Sequence, residues 1–489
     1  MTPRRLGYYG LAFGSGFAVL TIEIAGARLI APVFGLSVVP WTAVIGVILA
    51  ALAAGSLWGG RLADAGKVPL SRILFAAGLT GALPVVAAGF PWIARDLLGF
   101  IPGALVSALV LFAPPVFCLG AVVPYLVQAD TDSLGTVGRR AGDMSAAATV
   151  GSILGSFCTG FVLLPLMPLT VLLGVTAGAL VAMAALSARL LGGDRSGVHI
   201  AVAVAGLPAL GALAAGLPAD TLHAEQTLYG SVTVTDRTWA DGSVVRELWQ
   251  NGGSSSAEFV ETGHPAHPYA RVSLDILEEM RADADRILVL GGAALTLPVA
   301  FEAWSPGVAV DVVEIDSRVT SVARAYFAFG NEERPAIRVV HEDARVHLRT
   351  ESRRYEVVYM DVFDHLLTVP WTMVTEEALL AMSARLTPDG IFMANVLSPL
   401  AGPGTAFLER FRATLDAVFA DVRVYLTDPA LDPGATQNLV VVAANRVGVI
   451  PTPDRQQAQV PGRGAPLTDM WAPVEYLQAK VFTQGLRWR

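Results

Sequence analysis

Asp361 and Asp364 stand in the segment DVFDH (361–365), directly after the apolar run YEVVYM (355–360). Two carboxylates at that spacing can face one pocket, where one holds a cationic amine and the other removes its proton. A nucleophilic amine must lose its charge before it attacks. The base that takes the proton must therefore be poised near the working pH, which mutual repulsion and partial burial achieve by raising a carboxylate pKa. The plain alternative is a strand-end turn carrying two solvated carboxylates. His365 offers either a second base or an ordinary surface histidine.

Three further positions fit a ligand built on adenosine. Gly291-Gly292 ends the run ILVLGG (287–292) and lets backbone approach a bound group, or simply makes a tight turn. Glu314 ends VDVVEID (310–316), where an acidic side chain accepts from both hydroxyls of a ribose. Asp343 ends IRVVHED (337–343) and either accepts from an adenine amino group or caps the helix that follows.

These residues need a scaffold that brings strand ends together. After the short strands named above come YEVVYMDVF (355–363), IFMANVLS (391–398), VRVYLTD (422–428) and NLVVVAA (438–444), with helices expected near 318–328, 374–386 and 405–419. About seven apolar strands alternating with helices imply a doubly wound, Rossmann-like α/β sheet over 286–446, whose ligands bind beyond the carboxyl ends of the strands. Upstream, within 218–285, YGSVTVTD (229–236) and VVRELWQ (244–250) flank Asp241-Gly242 and read as a β-hairpin subdomain with a linker helix. Residues 447–489 read as a C-terminal tail.

The remaining 217 residues are a different material. The whole chain is 53% apolar and 16% charged, against roughly 25% charged in ordinary soluble proteins. The first 217 residues hold only 11 Lys+Arg and 7 Asp+Glu, which leaves 23 and 35 for the rest and gives the two halves net charges of +4 and −12. The acidic half has no basic stripe for a phosphate backbone, which argues against nucleic acid as a partner. Its composition suits a neutral or cationic ligand. The two cysteines, Cys118 and Cys158, both lie in apolar runs, so the second half has neither a disulfide nor a thiolate metal cluster.

A membrane helix needs about 20 apolar residues, and seven such runs are expected, at 6–30, 41–60, 73–93, 104–127, 145–166, 169–186 and 198–217. They make the first half a multi-pass domain in the lipid bilayer of the cell membrane. Arg4, Arg5, Arg61, Lys67, Arg72, Arg139, Arg140, Arg189 and Arg195 gather on one side of it and Arg95 on the other, which makes the first side cytoplasmic. Seven crossings then send the second half outward, unless one run does not cross. Glu23 and Arg28 in the first run require a partner helix, a wet cavity or the interface. Gly55, Gly59 and Gly60, and Gly151, Gly155 and Gly160, have the spacing of helix-packing surfaces.

The order of motifs LGG, VVEID, HEDAR, YMDVFDH, TEEAL and PDGIFMANV behind a hairpin domain resembles the spermidine synthase (polyamine aminopropyltransferase) family over about 221–445. TIEIAGARLIAPVFG, AAGSLWGGRLAD, TVGSILGSFCTGFVLLP and LTDMWAPVEYL resemble the family's membrane-fused members. The resemblance implies a fold of the S-adenosylmethionine-methyltransferase type and transfer of an aminopropyl group from decarboxylated S-adenosylmethionine to a diamine. No cofactor would be tightly bound. Glu314 would hold the ribose, Asp343 the adenine and Gly291-Gly292 the rest of the donor. Asp361 would take the proton, Asp364 would bind the amine, and Tyr269 and Ser255 would contact substrate. Soluble relatives often pair, so a homodimer is implied as well. Three departures stand out. Ala293-Ala294 replaces a carboxylate that contacts the donor's arm, the Asn251–Ser255 segment puts a serine near a family glutamine, and His365 replaces a proline.

Three functions fit this set of residues. The first is a membrane-anchored aminopropyltransferase. The second is an S-adenosylmethionine-dependent methyltransferase acting on a lipophilic substrate, which suits the lost carboxylate. The third is a transporter that senses a nucleoside without turning it over. Adenosine-based donors are made in the cytosol, so donor supply favours a cytoplasmic second half while the charge count favours the opposite.

Overall fold

The computed structural model of the chain describes residues 3–35, 38–131, 134–191, 220–280, 284–363, 368–450 and 456–482. The chain divides into two compact units, Met1–Gly216 and Leu217–Arg489.

In the first unit, five helices among the described residues are long and apolar enough to cross a membrane: Pro3–Phe34, Val38–Ala65, Phe100–Asp130, Val137–Leu166 and Leu169–Leu191. The third expected run is broken rather than straight. Leu70–Val86 and Phe90–Leu98 meet at 72°, and the pair counts as a sixth span only if taken together. Pro84 and Pro91 start the helical pieces on either side of Gly89, where their missing N–H groups end the preceding hydrogen-bond ladder. The seventh expected run, 198–217, lies outside the described residues. Of the glycines expected to pack, Gly55, Gly59, Gly151 and Gly155 do so, and a Cβ on Gly151 would stand 2.0 Å from the Phe13 carbonyl oxygen. Gly60 and Gly160 face open space. Asp130 is paired with Arg5 at 2.9 Å and Arg140 at 3.2 Å, which joins the ends of three helices.

The second unit starts with four antiparallel strands in sequential order, β1 (Thr221–Gln226), β2 (Ser231–Thr238), β3 (Val244–Gln250) and β4 (Gly253–Phe259). The expected hairpin is its middle pair. The outer strands escape sequence reading because TLHAEQ and GSSSAEF each hold only one of the β-branched and aromatic residues that mark a strand, Thr221 and Phe259.

The seven-stranded sheet follows, with β5 (Arg286–Leu290), β6 (Ala309–Val313), β7 (Ile337–Val340), β8 (Tyr355–Met360), β9 (Leu386–Ser398), β10 (Asp421–Leu426) and β11 (Gln437–Ala444). Its spatial order is β10-β11-β9-β8-β5-β6-β7, with β5 to β9 parallel and the β10, β11 edge antiparallel. The parallel strands are mostly apolar because helices cover both faces, with Asp311 on β6 paired to Arg338 on β7 at 2.6 Å. One face packs Tyr269, Val272, Ile276 and Leu277 of the helix Pro268–Met280, and the other packs Phe407, Phe411 and Leu415 of the helix Ala406–Val418. The chain crosses from one side of the sheet to the other between β5 and β8, which is the switch point where such folds bind ligands.

Residues 456–482, within the expected tail, pack against the rest of the second unit. Gln457 bridges to Tyr425, Leu467 and Val474 are fully buried, and the helix Val474–Phe482 is the last described element.

Candidate active site

β5 and β8 end side by side at the switch point. The Asp361 N–H donates to the Leu290 carbonyl at 2.9 Å, and Gly291 turns away with φ +93°. A Cβ at Gly291 would come within 2.2 Å of the Asp361 carbonyl oxygen, so the two loops leave room only for glycine. Ala293 (φ 43°) and Leu295 (φ 60°) are also left-handed, an uncommon arrangement for residues with side chains. The loop is fixed by acceptors. Glu314 Oε2 accepts from the Gly292 and Ala293 amides at 3.0 Å each, Glu314 Oε1 accepts from the Asp316 amide at 2.9 Å, and Ser256 Oγ on β4 accepts from the Ala294 amide at 3.2 Å. Glu314 is 6% exposed, and burial raises its pKa against the pull of those three amides.

Asp361 follows β8 on the face covered by the helix Pro268–Met280. The Tyr269 hydroxyl donates to its Oδ2 at 2.8 Å, and the Asn395 amide donates to its Oδ1 at 3.0 Å. Asp361 keeps some surface as a residue, yet its carboxylate is enclosed deeply enough that desolvation dominates its ionisation. Burial pushes the pKa up to about 6, with both hydrogen bonds opposing the rise. Such a carboxylate is charged at neutral pH and still basic enough to take a proton. Tyr269 is placed in turn by His267, which stacks on its ring at 5.7 Å between centroids and lies 3.2 Å from Ser254 Oγ. Desolvation lowers His267 to about 4, so it stays neutral.

The other expected residues sort as follows. Asp343 is exposed and caps the helix Ala344–Thr350, accepting from the Val346 amide at 3.0 Å, which is the second of its two readings. Ser255 falls where the β3–β4 ladder shifts register, with Leu248 opposite Ser256 and Trp249 opposite Ser254. The bulge skips Ser255, and the hydroxyls that bond to the site's loop and histidine are those of Ser256 and Ser254. Asp364 and His365 lie outside the described residues. Sequence reading missed Asn395 and His267. Asn395 did carry a signal, since a carboxamide inside the apolar run IFMANVL is buried and needs a partner.

A glycine turn, a buried acidic residue at the end of the next strand and a raised carboxylate meet at the switch point of an α/β unit of the doubly wound class. Residues 275–430 match the family described as spermine/spermidine synthase domain, so the chain carries that domain. The matched segment contains Gly291, Glu314, Asp343, Asp361 and Asn395 and leaves out Tyr269 and Ser255. A polyamine aminopropyltransferase of Vibrio vulnificus is 30% identical over 134 residues, 27% of this chain and 44% of the relative, so the chain spans under half of that protein. Polyamine aminopropyltransferase 1 of Streptomyces coelicolor is 26% identical over 427 residues, 79% of this chain and 75% of the relative. Among solved structures, a probable spermidine synthase from Corynebacterium glutamicum aligns at TM-score 0.40 and 21% identity, over 47% of this chain and 81% of that one.

Proposed function

We propose that the second unit transfers an aminopropyl group from decarboxylated S-adenosylmethionine to a small amine, with Asp361 as the base. The observation that carries this reading is a carboxylate with a pKa of about 6 at the end of β8, beside the Gly291 turn. The amine's lone pair attacks the carbon bound to the sulfonium, the C–N bond forms as the C–S bond breaks, and the sulfur keeps the bonding pair. Methylthioadenosine leaves as a neutral thioether that needs no acid. The amine proton passes to Asp361. Tyr269 and Asn395 hold the carboxylate at both oxygens, so its reactive lone pairs are aimed before substrate arrives. Glu314 would take the ribose, and Asp343, exposed at its helix start, would take the adenine edge. Asp364 would bind the far end of the amine.

One observation favours a second reading. Ala293, Ala294 and Leu295 give the loop after β5 no carboxylate for the donor's aminopropyl arm, which suits methyl transfer from intact S-adenosylmethionine. Purified full-length protein with putrescine and either donor separates the two readings. Methylthioadenosine supports aminopropyl transfer, and S-adenosylhomocysteine supports methyl transfer. Asp361→Asn turning over at the parent's rate would remove Asp361 from the base role. The five apolar helices further support anchoring in a membrane, and a side-specific reporter at the C-terminus decides which side the second unit faces.

A further inference from the structure

Asp361 is the first member of a chain of side chains that runs sideways across the sheet. Asn395 lies on β9, next to β8, and Asn438 lies on β11, next to β9. In the register, Met360 pairs with Ala394, so Asp361 and Asn395 project on the same face. Asn395 pairs with Val440, two residues from Asn438, which puts Asn438 diagonally across on that face as well. The Asn438 amide nitrogen donates to the Asn395 carbonyl oxygen at 2.9 Å, and the Asn395 amide nitrogen donates to Asp361 Oδ1 at 3.0 Å.

A carboxamide has one donating end and one accepting end. An ionised carboxylate only accepts, so the Asn395 nitrogen must face Asp361 and its oxygen must face away. A donor on the far side makes that orientation the stable one. We propose that Asn438 is a positioning residue for the reaction at Asp361, holding the Asn395 carboxamide with its donor end toward the carboxylate. It touches neither substrate nor the reacting atoms. The proposal rests on Asp361 as base and holds for either nucleoside product.

The physical consequence is directional. With Asn438 in place, Asn395 stabilises the charged form of Asp361. With an acceptor at 438, the Asn395 amide turns to donate to it and presents oxygen to Asp361, which then favours the protonated carboxyl. Among the described residues, the titratable groups around Asp361 are Tyr269, which donates to it, Tyr359, which feels its charge from β8, and His267, stacked behind Tyr269. Both tyrosines are raised well above their ordinary value and His267 is held near 4, so none of the three changes charge between pH 5 and 9.

The experiment measures total nucleoside product from pH 5 to 9.5 for full-length parent, Asn438→Leu, Asn438→Asp, Asn395→Leu, the Asn395→Leu/Asn438→Leu pair and Asp361→Asn. Asn438→Leu should move the acid limb of kcat upward with KM for the donor unchanged, and Asn438→Asp should move it further. In the Asn395→Leu background, Asn438→Leu should add nothing, because the group it positions is gone. Parent-like profiles for both Asn438 variants overturn the inference, and so do additive effects in the pair. Since the pair compares two variants that already share a core change, a general loss of packing shows as additivity. Turnover by Asp361→Asn at the parent's rate overturns this inference and the base assignment together. An inactive Asp361→Asn beside unaltered Asn438 variants overturns this inference alone.

Discussion

Tyr269→Phe removes one of the two hydrogen bonds that hold the Asp361 charge and leaves the ring in place against Val272 and Ile276. A hydrogen bond to a charged group contributes about 1.5–3 kcal/mol, and about 1.4 kcal/mol corresponds to one pKa unit, so the carboxyl should rise by about 1–2 units. From about 6, that places it near 7–8. Transfer needs the ionised form, so turnover is lost as pH falls through this pKa, and the variant loses it sooner. At pH 7 the ionised fraction falls from about 0.9 to between about 0.1 and 0.5, and turnover should drop about 2- to 10-fold while the rate near pH 9 stays within about 2-fold of the parent. Initial rates of nucleoside release across pH 5–9.5 at constant ionic strength read the shift. Two results refute the reasoning. One is an acid limb at the parent's position, and the other is a lowered plateau with no displacement, which would make Tyr269 a matter of geometry rather than ionisation.

Asp361→Asn should abolish transfer and also raise thermal stability at neutral pH. The folded carboxyl holds its proton more tightly than the unfolded one, so Asp361 destabilises the fold progressively from about pH 4 to about 6 and by a constant amount above, about 3 kcal/mol at most. The difference in melting temperature between variant and parent should therefore vanish near pH 4. Gly291→Ala, which forces a Cβ toward the Asp361 carbonyl at positive φ, should cost about 2 kcal/mol or more and lower the rate by displacing the base. Asp343→Ala should cost about 1 kcal/mol as a lost helix cap, and a larger loss in methylthioadenosine affinity than in stability, read by calorimetry, would support its contact with the adenine.

The parallel core of the second unit is legible because its strands are buried on both faces and read as short, mostly apolar runs. Gly291, Glu314 and Asp361 are legible for the same reason, since a polar residue or a glycine at the end of such a run has few structural explanations. Asp343 has two, and the helix behind it supplies the plainer one. Strand pairing is where reading along the chain stops. Asn395 and Asn438 are 43 residues apart and meet because β11 inserts between β9 and β10, an order that no local pattern records. Ser254 and Ser256 exchange places with Ser255 because of one bulged residue, and a bulge in GSSSAEF leaves no trace in composition. In the first unit, hydrophobicity finds the runs and is blind to whether a run is straight, which is decided at Gly89 and two prolines.

The hydrogen bonds of Glu314 have a consequence for nucleoside binding. A carboxylate has about four lone-pair sites, and backbone amides occupy three of them, two on Oε2 and one on Oε1. If Glu314 takes the ribose as proposed, the first hydroxyl would use the remaining site and the second would share Oε2 with, or displace, the Gly292 or Ala293 amide. Nucleoside binding would then be coupled to the stiffness of a loop that passes through two left-handed residues with side chains, Ala293 and Leu295.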